Sequence, residues 1–533
     1  MTIDAFRAED IRQAENLVMQ HTPPGSLMAQ AAHGLGHAVL QELRRRRPKS
    51  EKSSALAVGI GSRVVRARVA GRRAVLLVGA GNNGGDVLFA GALLAGRGVQ
   101  VTALALTADI HDAGRSAFIR AGGVMRAAGD FDRAQLTEIF TSADVVIDGI
   151  VGLGAVGALR APATEIVTVL NEVRGAQDEL LVVAADIPSG IAVDDGTVPG
   201  VAVNADLTVT FGAWKPGLAL PPAVNYAGRV EAIDLGLRPA LKDLKATPAV
   251  RRITDADAAR LWPIPKLDDH KYSRGVLGVV AGSVAYPGAA VLTVAGAFEA
   301  GVGMLRYVGP MRSRDLVLAH RPEVVAGGGK CQAWVLGPGV APDDSDQTMS
   351  ITRIIDSCAD DGTPCVVDAG GLEFVPGHVE ENIVLTPHAG ELVRLLEERG
   401  EKVEIETVRE DPGHWALQAA ELTGATVLLK GNTTLVARPG GTVITQVSAP
   451  SWLATAGAGD VLSGILGALL ASSADAIAKD SDVMAELAAT ASLVHGRAAA
   501  LASQGGPITA LAVANAVPAA VREILAKPGT LSS

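Results

Sequence analysis

The chain repeats one pattern, a short continuous apolar run that stops at glycine or a lone polar residue and gives way to a helix-forming stretch. AVLLVG at Ala74–Gly79, ADVVID ending at Asp148 and ELLVVAAD ending at Asp186 have this form in the first half; VLGVVAG, WVLGPG, PCVVDAGG, NIVLTPH and TVLLKG have it in the second. A strand buried on both faces is apolar at successive positions, whereas a strand with one wet face alternates. Such runs interleaved with helices predict an α/β fold built on parallel sheets. In an open parallel sheet, ligands sit beyond the carboxyl ends of the strands. The polar residues that end these runs are therefore the candidate functional groups.

At 533 residues the chain is too long for one ordinary core, and two to four domains are expected. The 61 glycines and 3% aromatic residues suit tight helix–sheet packing and small-residue turns. A formal charge of −10 argues against a nucleic-acid or anionic-membrane partner. The one basic run, Arg44–Arg47, continues into Pro48, Lys49, Ser50 and Glu51 and reads as a solvated connection. Cys331, Cys358 and Cys365 show no CxxC spacing, which fits a reducing cytoplasm. Met1–Arg12 lacks the order of a signal peptide. The uncharged run Gly275–Phe298 is long enough to span a bilayer, but Gly282–Ser283 and Pro287–Gly288 divide it into strand, loop and helix.

The N-terminal half opens with two predicted helices, AEDIRQAENLVM and SLMAQAAHGLGHAVLQEL, the second with Ser26 as its N-cap. His33 and His37 share a helix face, but with no glutamate between them and His21 irregularly spaced, packed or exposed histidines are expected rather than a metal site. After AVLLVG comes the turn Ala80–Asp86 and a helix, VLFAGALLAGRG. Gly79, Gly81 and Gly84 satisfy G-x-G-x-x-G, and Asp109 follows the next strand, as in a dinucleotide-binding dehydrogenase. Asn82, Asn83 and Asp86 speak against that reading, because amides and a carboxylate occupy the place where a pyrophosphate would want a bare, positive helix start. They suit a polar pocket with a hard cation instead. Asp148, with the glycine-rich loop Gly152–Gly157, and Asp186, with Pro188-Ser189-Gly190, end neighbouring runs and should converge on that pocket. Lys215 lies near a turn after a last strand.

VGAGNNGGD, VVIDGIVGLG, AADIPSG and TFGAWKPGL together resemble the NAD(P)H-hydrate epimerase domain over residues 1–240. The resemblance implies a Rossmann-like three-layer sandwich and hydrate contacts at Asn82, Asn83, Gly84, Gly85, Asp86, Gly152, Leu153, Gly154, Ala155, Val156, Gly157, Ala158 and Asp186. It makes Asp186 catalytic and implies a potassium ion held by Asn83, Asp148 and Ser189. Ala80 and Val87 stand where the family often has proline and glycine.

Between Leu237 and Pro265 the chain turns polar and proline-punctuated, as a linker does, and ITDADAARLWP, from Ile253, is expected to open the second domain as a short helix. Beyond it, LATAGAGDVLSG at Leu453–Gly464 sets a small-residue turn before an apolar helix, Val461–Ala471. Gly457, Ala458 and Gly459 allow close backbone approach to a phosphate, the helix dipole favours the same anion, and Asp460 sits where an alcohol would lose its proton. An N-cap role for Asp460 is the alternative. Lys430 directly follows an apolar strand and offers a point charge to phosphate. His388 ends another strand beside proline, and Glu391 lies in the first turn of the helix after it.

The order from Gly282-Ser283 through TPHAGE and KGNTT to AGAGD resembles the ribokinase-like ADP-dependent NAD(P)H-hydrate dehydratases over residues 250–528. The resemblance implies hydrate contacts at Ala289, Gly339, His388 and Asp460, with Asp460 catalytic. It places the nucleotide on Lys430, Gly431, Asn432, Thr433, Thr434 and Gly459. Gly370 and Ala456 depart from it, standing where the family commonly has a second aspartate and a glycine. Together the halves imply nicotinamide-nucleotide repair. Epimers of hydrated NADH and NADPH interconvert, and the S form is dehydrated with ADP and Mg2+, giving AMP and phosphate. A cytoplasmic homo-oligomer is expected. The rival expectation is a vitamin- or sugar-type kinase with a non-catalytic N-terminal binding domain.

Overall fold

The apolar runs become the central strands of two largely parallel sheets, each in its own unit of the computed structural model: Asp4–Ala249, and the chain from Val250 onward with Met1–Ile3. The structure describes residues 2–46, 69–154, 156–447 and 449–526. Ala155 and the connection Arg47–Glu51 lie outside the described residues.

In the N-terminal unit seven parallel strands run in the order Val124–Ala127, Gln100–Ala105, Arg73–Val78, Val145–Gly149, Leu181–Ala185, Leu207–Phe211 and Arg229–Ile233. The sheet starts at Arg73–Val78, builds outward on one side and returns to build on the other. Its crevice therefore opens between the ends of Arg73–Val78 and Val145–Gly149. The helix after the first strand spans Gly81–Ala95, so Asn82–Asp86 form its first turns instead of a preceding loop. Gly81, at φ 79°, swings the chain into it. A Cβ on Gly79 would lie 1.9 Å from the Ile150 carbonyl oxygen, and one on Gly84 2.2 Å from that of Gly79. These two glycines serve close packing of strand, helix and loop. Ser26 is the first helical residue and not the cap: Gly25, at φ 78°, takes the cap position.

In the second unit the strands Val250–Arg252, Val443–Gln446, Thr434–Ala437, Thr426–Leu429, Ile383–Leu385, Cys365–Val367, Ala333–Leu336, Val276–Val280, Met304–Val308 and Val325–Ala326 lie side by side in that order. From Thr426–Leu429 to Val325–Ala326 they are parallel, and Thr434–Ala437 pairs antiparallel with both its neighbours. The direction of building reverses between Val276–Val280 and Ala333–Leu336. There Gly282 N–H donates to Pro338 O at 2.7 Å, closing the two strand ends onto each other.

The helix carrying Asp460 spans Ala458–Ser472 and packs along the helix Pro287–Glu299. Backbones touch there, because a Cβ on Gly464 would lie 2.0 Å from Thr293 O and one on Gly296 2.4 Å from Val461 O. The stretch expected as a linker is structured: helix Leu237–Asp243, strand Val250–Arg252 and helix Asp255–Leu261, the last closed by a Thr254–Asp257 capping box. Its prolines mislead as punctuation, since Pro239 falls in a helix first turn, where the missing N–H costs nothing. Gly275–Phe298 divides into strand Val276–Val280 and a helix from Pro287; among the described residues no helix is long and apolar enough to cross a membrane.

Candidate functional site

Beyond the carboxyl ends of the N-terminal sheet lies a cavity of about 1610 Å³. Of the residues expected there, Asn82, Asn83, Asp86, Gly152, Leu153, Gly154, Val156, Gly157, Ala158 and Asp186 line it, while Gly84 and Gly85 lie beneath in the buried helix start. Asp148 is fully buried behind the wall. Its carboxylate accepts from Ser189 N–H at 2.7 Å, Ser189 Oγ at 2.7 Å and Ile150 N–H at 3.1 Å. Burial pushes it up to about 6, against the pull of those donors. Asn83 donates through Nδ2 to Val151 O at 2.7 Å, and its buried Oδ1 has no hydrogen-bond partner.

Asp186 has φ 67°, a left-handed conformation uncommon outside glycine. Its Oδ1 accepts from Phe211 N–H at 3.1 Å, from Thr210 Oγ1 at 3.3 Å and from Lys215 Nζ. Lys215 is wholly buried, and its remaining protons go to Thr210 Oγ1 and Phe211 O, both at 2.9 Å. Asp86 has no such support. Its Oδ1 is buried without a partner, and burial, then the charges of Asp186 and Glu15, push its carboxyl well above the usual range. Glu15, on the helix Ala8–Met19, also lines the cavity and is raised, mainly by burial. The rings of His33 and His37 stack at 6.4 Å, and among the described residues no His/Cys/Asp/Glu cluster forms a metal site.

In the second unit Asp460 is the third residue of its helix. The N-cap is Gly457 at φ 86°, with no side-chain capping bond, so the capping alternative for Asp460 falls. Asp368, at the end of strand Cys365–Val367, is buried and accepts from Lys430 Nζ at 2.7 Å, Ser463 Oγ at 2.6 Å and Ala369 N–H at 2.9 Å. Lys430 Nζ also lies 3.6 Å from Glu391, and a Cβ on Gly459 would stand 3.6 Å from the same nitrogen. The lysine thus links the strand end to the Asp460 turn. Burial opposes its charge, but Asp368, Glu391 and Asp460 outweigh burial and raise its pKa. Burial, reinforced by Asp368 and offset in part by Lys430, pushes Asp460 up to about 7.

His388 is the N-cap of the helix Ala389–Glu397. Its Nδ1 accepts from Glu391 N–H at 3.1 Å, and its own N–H donates to the Glu391 carboxylate at 2.8 Å, leaving the ring largely exposed. Ala289 and Gly339 touch, since a Cβ on Gly339 would lie 2.4 Å from that of Ala289. In the segment after Lys430, Thr433 is buried with an unpartnered Oγ1. Gly370 has a steric reason to lack a side chain, because its Cβ would fall 2.2 Å from Val340 O.

Glu15, Asp368, Ser463 and His495 were not among the sequence candidates. Asp368 ends an apolar run as Asp148 and Asp186 do, so that rule, applied evenly, finds it. Glu15 and His495 sit inside helices with nothing local to mark them. His495 is buried, bonds to the Ala458 backbone and is pushed down to about 4, so a neutral ring supports the Asp460 turn.

Residues 24–217 match the family model described as the YjeF-related protein N-terminus, and residues 277–517 that described as NAD(P)H-hydrate dehydratase. The bifunctional NAD(P)H-hydrate repair enzyme of Mycobacterium leprae is 39% identical over 510 residues, covering 93% of this chain and 94% of that protein. Its counterpart in Mycobacterium tuberculosis H37Rv is 38% identical, covering 88% and 89%. The NAD(P)H-hydrate epimerase of Clavibacter michiganensis is 39% identical, over 46% of this chain and 95% of its own length.

Replacing Asp368 by asparagine removes a like charge beside Asp460 and frees Lys430 to face it, and both changes favour the carboxylate. Carbon-13 NMR titration of the Asp460 carboxyl in Asp368→Asn should show its pKa falling from about 7 toward the ordinary range. An unchanged value would mean that burial alone sets it.

Proposed function

The chain belongs to the family of bifunctional NAD(P)H-hydrate repair enzymes, and from that premise we propose how its two units divide the reaction. The N-terminal unit interconverts the epimers of hydrated NADH and NADPH. The C-terminal unit dehydrates the S epimer with ADP, giving AMP, phosphate and the reduced nucleotide. The observation that carries the second assignment is Asp460, held near neutrality at the positive end of a buried helix and flanked by Lys430.

Hydration of a dihydronicotinamide leaves a hydroxyl on the carbon next to the ring nitrogen. Hydroxide leaves poorly and phosphate leaves well, so transferring a phosphoryl group to that hydroxyl lets the ring nitrogen expel it as phosphate, and loss of a proton from the adjacent ring carbon then restores the dihydronicotinamide. Asp460 takes the hydroxyl proton, a role suited to a carboxylate whose pKa lies near the working pH. The helix start at Ala458 and the charge of Lys430 face the phosphoryl oxygens, where preorganised positive charge counts most. Lys430 is kept in line by Asp368 and Glu391. Gly431, Asn432, Thr433, Thr434 and Gly459 border the nucleotide, and the unpartnered Thr433 hydroxyl suits a phosphate contact. Magnesium enters with the nucleotide as part of the substrate and offsets its charge. Ala289, Gly339 and the exposed His388 ring bound the hydrate.

In the N-terminal unit Asp186 serves as the acid–base group of the epimerisation, positioned by Lys215, Thr210 and the Phe211 amide. The oxygen set Asn83, Asp148 and Ser189 fits a weakly hydrated monovalent cation. Among the described residues Asn83 Oδ1 is buried and unpartnered, and Asp148 has hydrogen-bond donors but no ion pair. Potassium bound there supplies the missing positive charge.

Asp460→Asn should lower dehydration by about two to four orders of magnitude, the usual worth of a general base, with nucleotide affinity kept. In the wild type the dehydration rate should climb with pH to a plateau through an apparent pKa of about 7, because only the ionised base works. Stopped-flow absorbance of the reduced nicotinamide measures both, and a single-turnover rate near wild type in the variant would remove Asp460 from the chemistry.

The potassium assignment has a readout apart from catalysis. A carboxyl with its folded pKa raised to about 6 binds a proton more tightly folded than unfolded, so its contribution to stability falls as pH rises through the span between its unfolded and folded values. A cation on Asp148 reverses that loss. Potassium should therefore raise the melting temperature more at pH 8 than at pH 5, compared with tetramethylammonium at equal ionic strength, and Asp148→Asn should abolish the difference. Equal melting curves in the two salts at pH 8 would leave the site without its ion.

A further inference from the structure

Two carboxyl groups face the N-terminal cavity in opposite circumstances. Asp186 spends one oxygen on three donors, among them a lysine that is wholly buried and turned to no other acid. Asp86, from the first turns of the neighbouring helix, presents a buried oxygen with no donor. A hydrogen-bonded, ion-paired carboxylate stays ionised, while a desolvated one beside other acids keeps its proton. Burial, then Asp186 and Glu15, act on Asp86 in that direction. Acids placed so that their environments drive them apart are the usual basis for assigning one as acid and the other as base.

Resting on the epimerase reading above, we propose that the two roles are split: Asp86 is the acid that protonates the departing hydroxyl, and Asp186 is the base for the water that replaces it. Asp86 gives its proton to the hydroxyl of the hydrate. The carbon–oxygen bond breaks with its electron pair on oxygen, releasing water, and the lone pair of the ring nitrogen closes a carbon–nitrogen double bond. A water then adds to the opposite face. Its oxygen supplies the pair for the new bond, the π pair returns to nitrogen, and the water's proton goes to Asp186. Proton exchange with cavity solvent resets the two acids, and no oxidant or reductant is needed.

The wall favours this route over ring opening to a neutral aldehyde because it suits a cation. Glu15, Asp86 and Asp186 share one stretch of the cavity and act on one another's charge. Lys215, whose charge acts on Glu15, is wholly buried outside the cavity lining with all its protons engaged. Arg12, the other cation acting on Glu15, is turned to Leu153 O at 2.6 Å. Arg12 and Arg160 also line the cavity, but the three acids act directly on one another, and a local excess of negative charge stabilises positive charge as it forms.

The test uses the full-length protein and one purified epimer of hydrated NADH in oxygen-18 water, without nucleotide. The wild type should place label in the hydroxyl at the rate at which the second epimer appears, above the spontaneous rate. Asp86→Asn, similar in shape and checked by its melting temperature, should slow both processes together by about two orders of magnitude or more. Interconversion by the wild type with the original oxygen retained would overturn the proposal whatever the variant does, as would a well-folded Asp86→Asn within a few-fold of wild type. No interconversion by the wild type would instead bring down the epimerase reading, and this proposal with it.

Discussion

A carboxylate buried at the end of a parallel strand must have its charge answered, or it takes up a proton or destabilises the strand end that holds it. The chain meets this demand at Asp148, Asp186 and Asp368, each following an all-apolar strand or ending one. Asp148 is met by amide and hydroxyl donors from Ile150 and Ser189. Asp186 and Asp368 are each met by one buried or half-buried lysine that arrives after a later strand, Lys215 behind Leu207–Phe211 and Lys430 behind Thr426–Leu429. The two units thus reach the same solution with different strand orders. Removing one partner of such a pair strands the other, so each pair holds two strand ends and the acid between them in place together.

What the paired carboxylates do to their neighbours produces the chemistry. Asp368 is fixed by its three donors, and burial together with its charge pushes the Asp460 carboxyl up to about 7. Asp186 is fixed by its own donors, and burial together with the charges of Asp186 and Glu15 pushes the Asp86 carboxyl well above the usual range. On the proposed mechanisms, Asp460 serves as a base usable at neutral pH and Asp86 as a proton donor. Neither arrangement needs a long-range device, only two carboxyl groups from adjacent elements and one lysine assigned to one of them. Close backbone packing keeps the distances, since Gly464 and Gly296 let the Asp460 helix lie against its neighbour with no side chain between them.

Much of this was legible in the sequence, and the reasons are local. Continuous apolar runs identified the central strands, and the strand-end rule located Asp148, Asp186 and Lys430 before any coordinates. Asp460 was legible because a glycine turn before an apolar helix leaves few roles for an acid in its first turn. Where local signals competed, the reading failed. Glycines at 84 and 85 suggested a turn, yet burial against the sheet extends the helix back to Gly81. Prolines from 239 to 265 suggested a linker; the division between the units does fall there, at Ala249–Val250, and the helix expected from Ile253 is Asp255–Leu261, but the helix Leu237–Asp243 and the strand Val250–Arg252 were not foreseen. Glu15, Lys215 as the partner of Asp186, and His495 beneath Ala458 depend on packing between distant segments, which no spacing along the chain records.

On the proposed mechanism the hydroxyl of the hydrate becomes the attacking group and leaves as part of phosphate, so its oxygen can be followed. The S epimer of hydrated NADH, labelled with oxygen-18 in its hydroxyl, is given to Asp186→Asn with ADP and Mg2+, the substitution keeping the label from being lost by epimerisation. Mass spectrometry of the inorganic phosphate should find one labelled oxygen for each reduced nicotinamide formed. Reduced nicotinamide formed with unlabelled phosphate and labelled water would contradict the account.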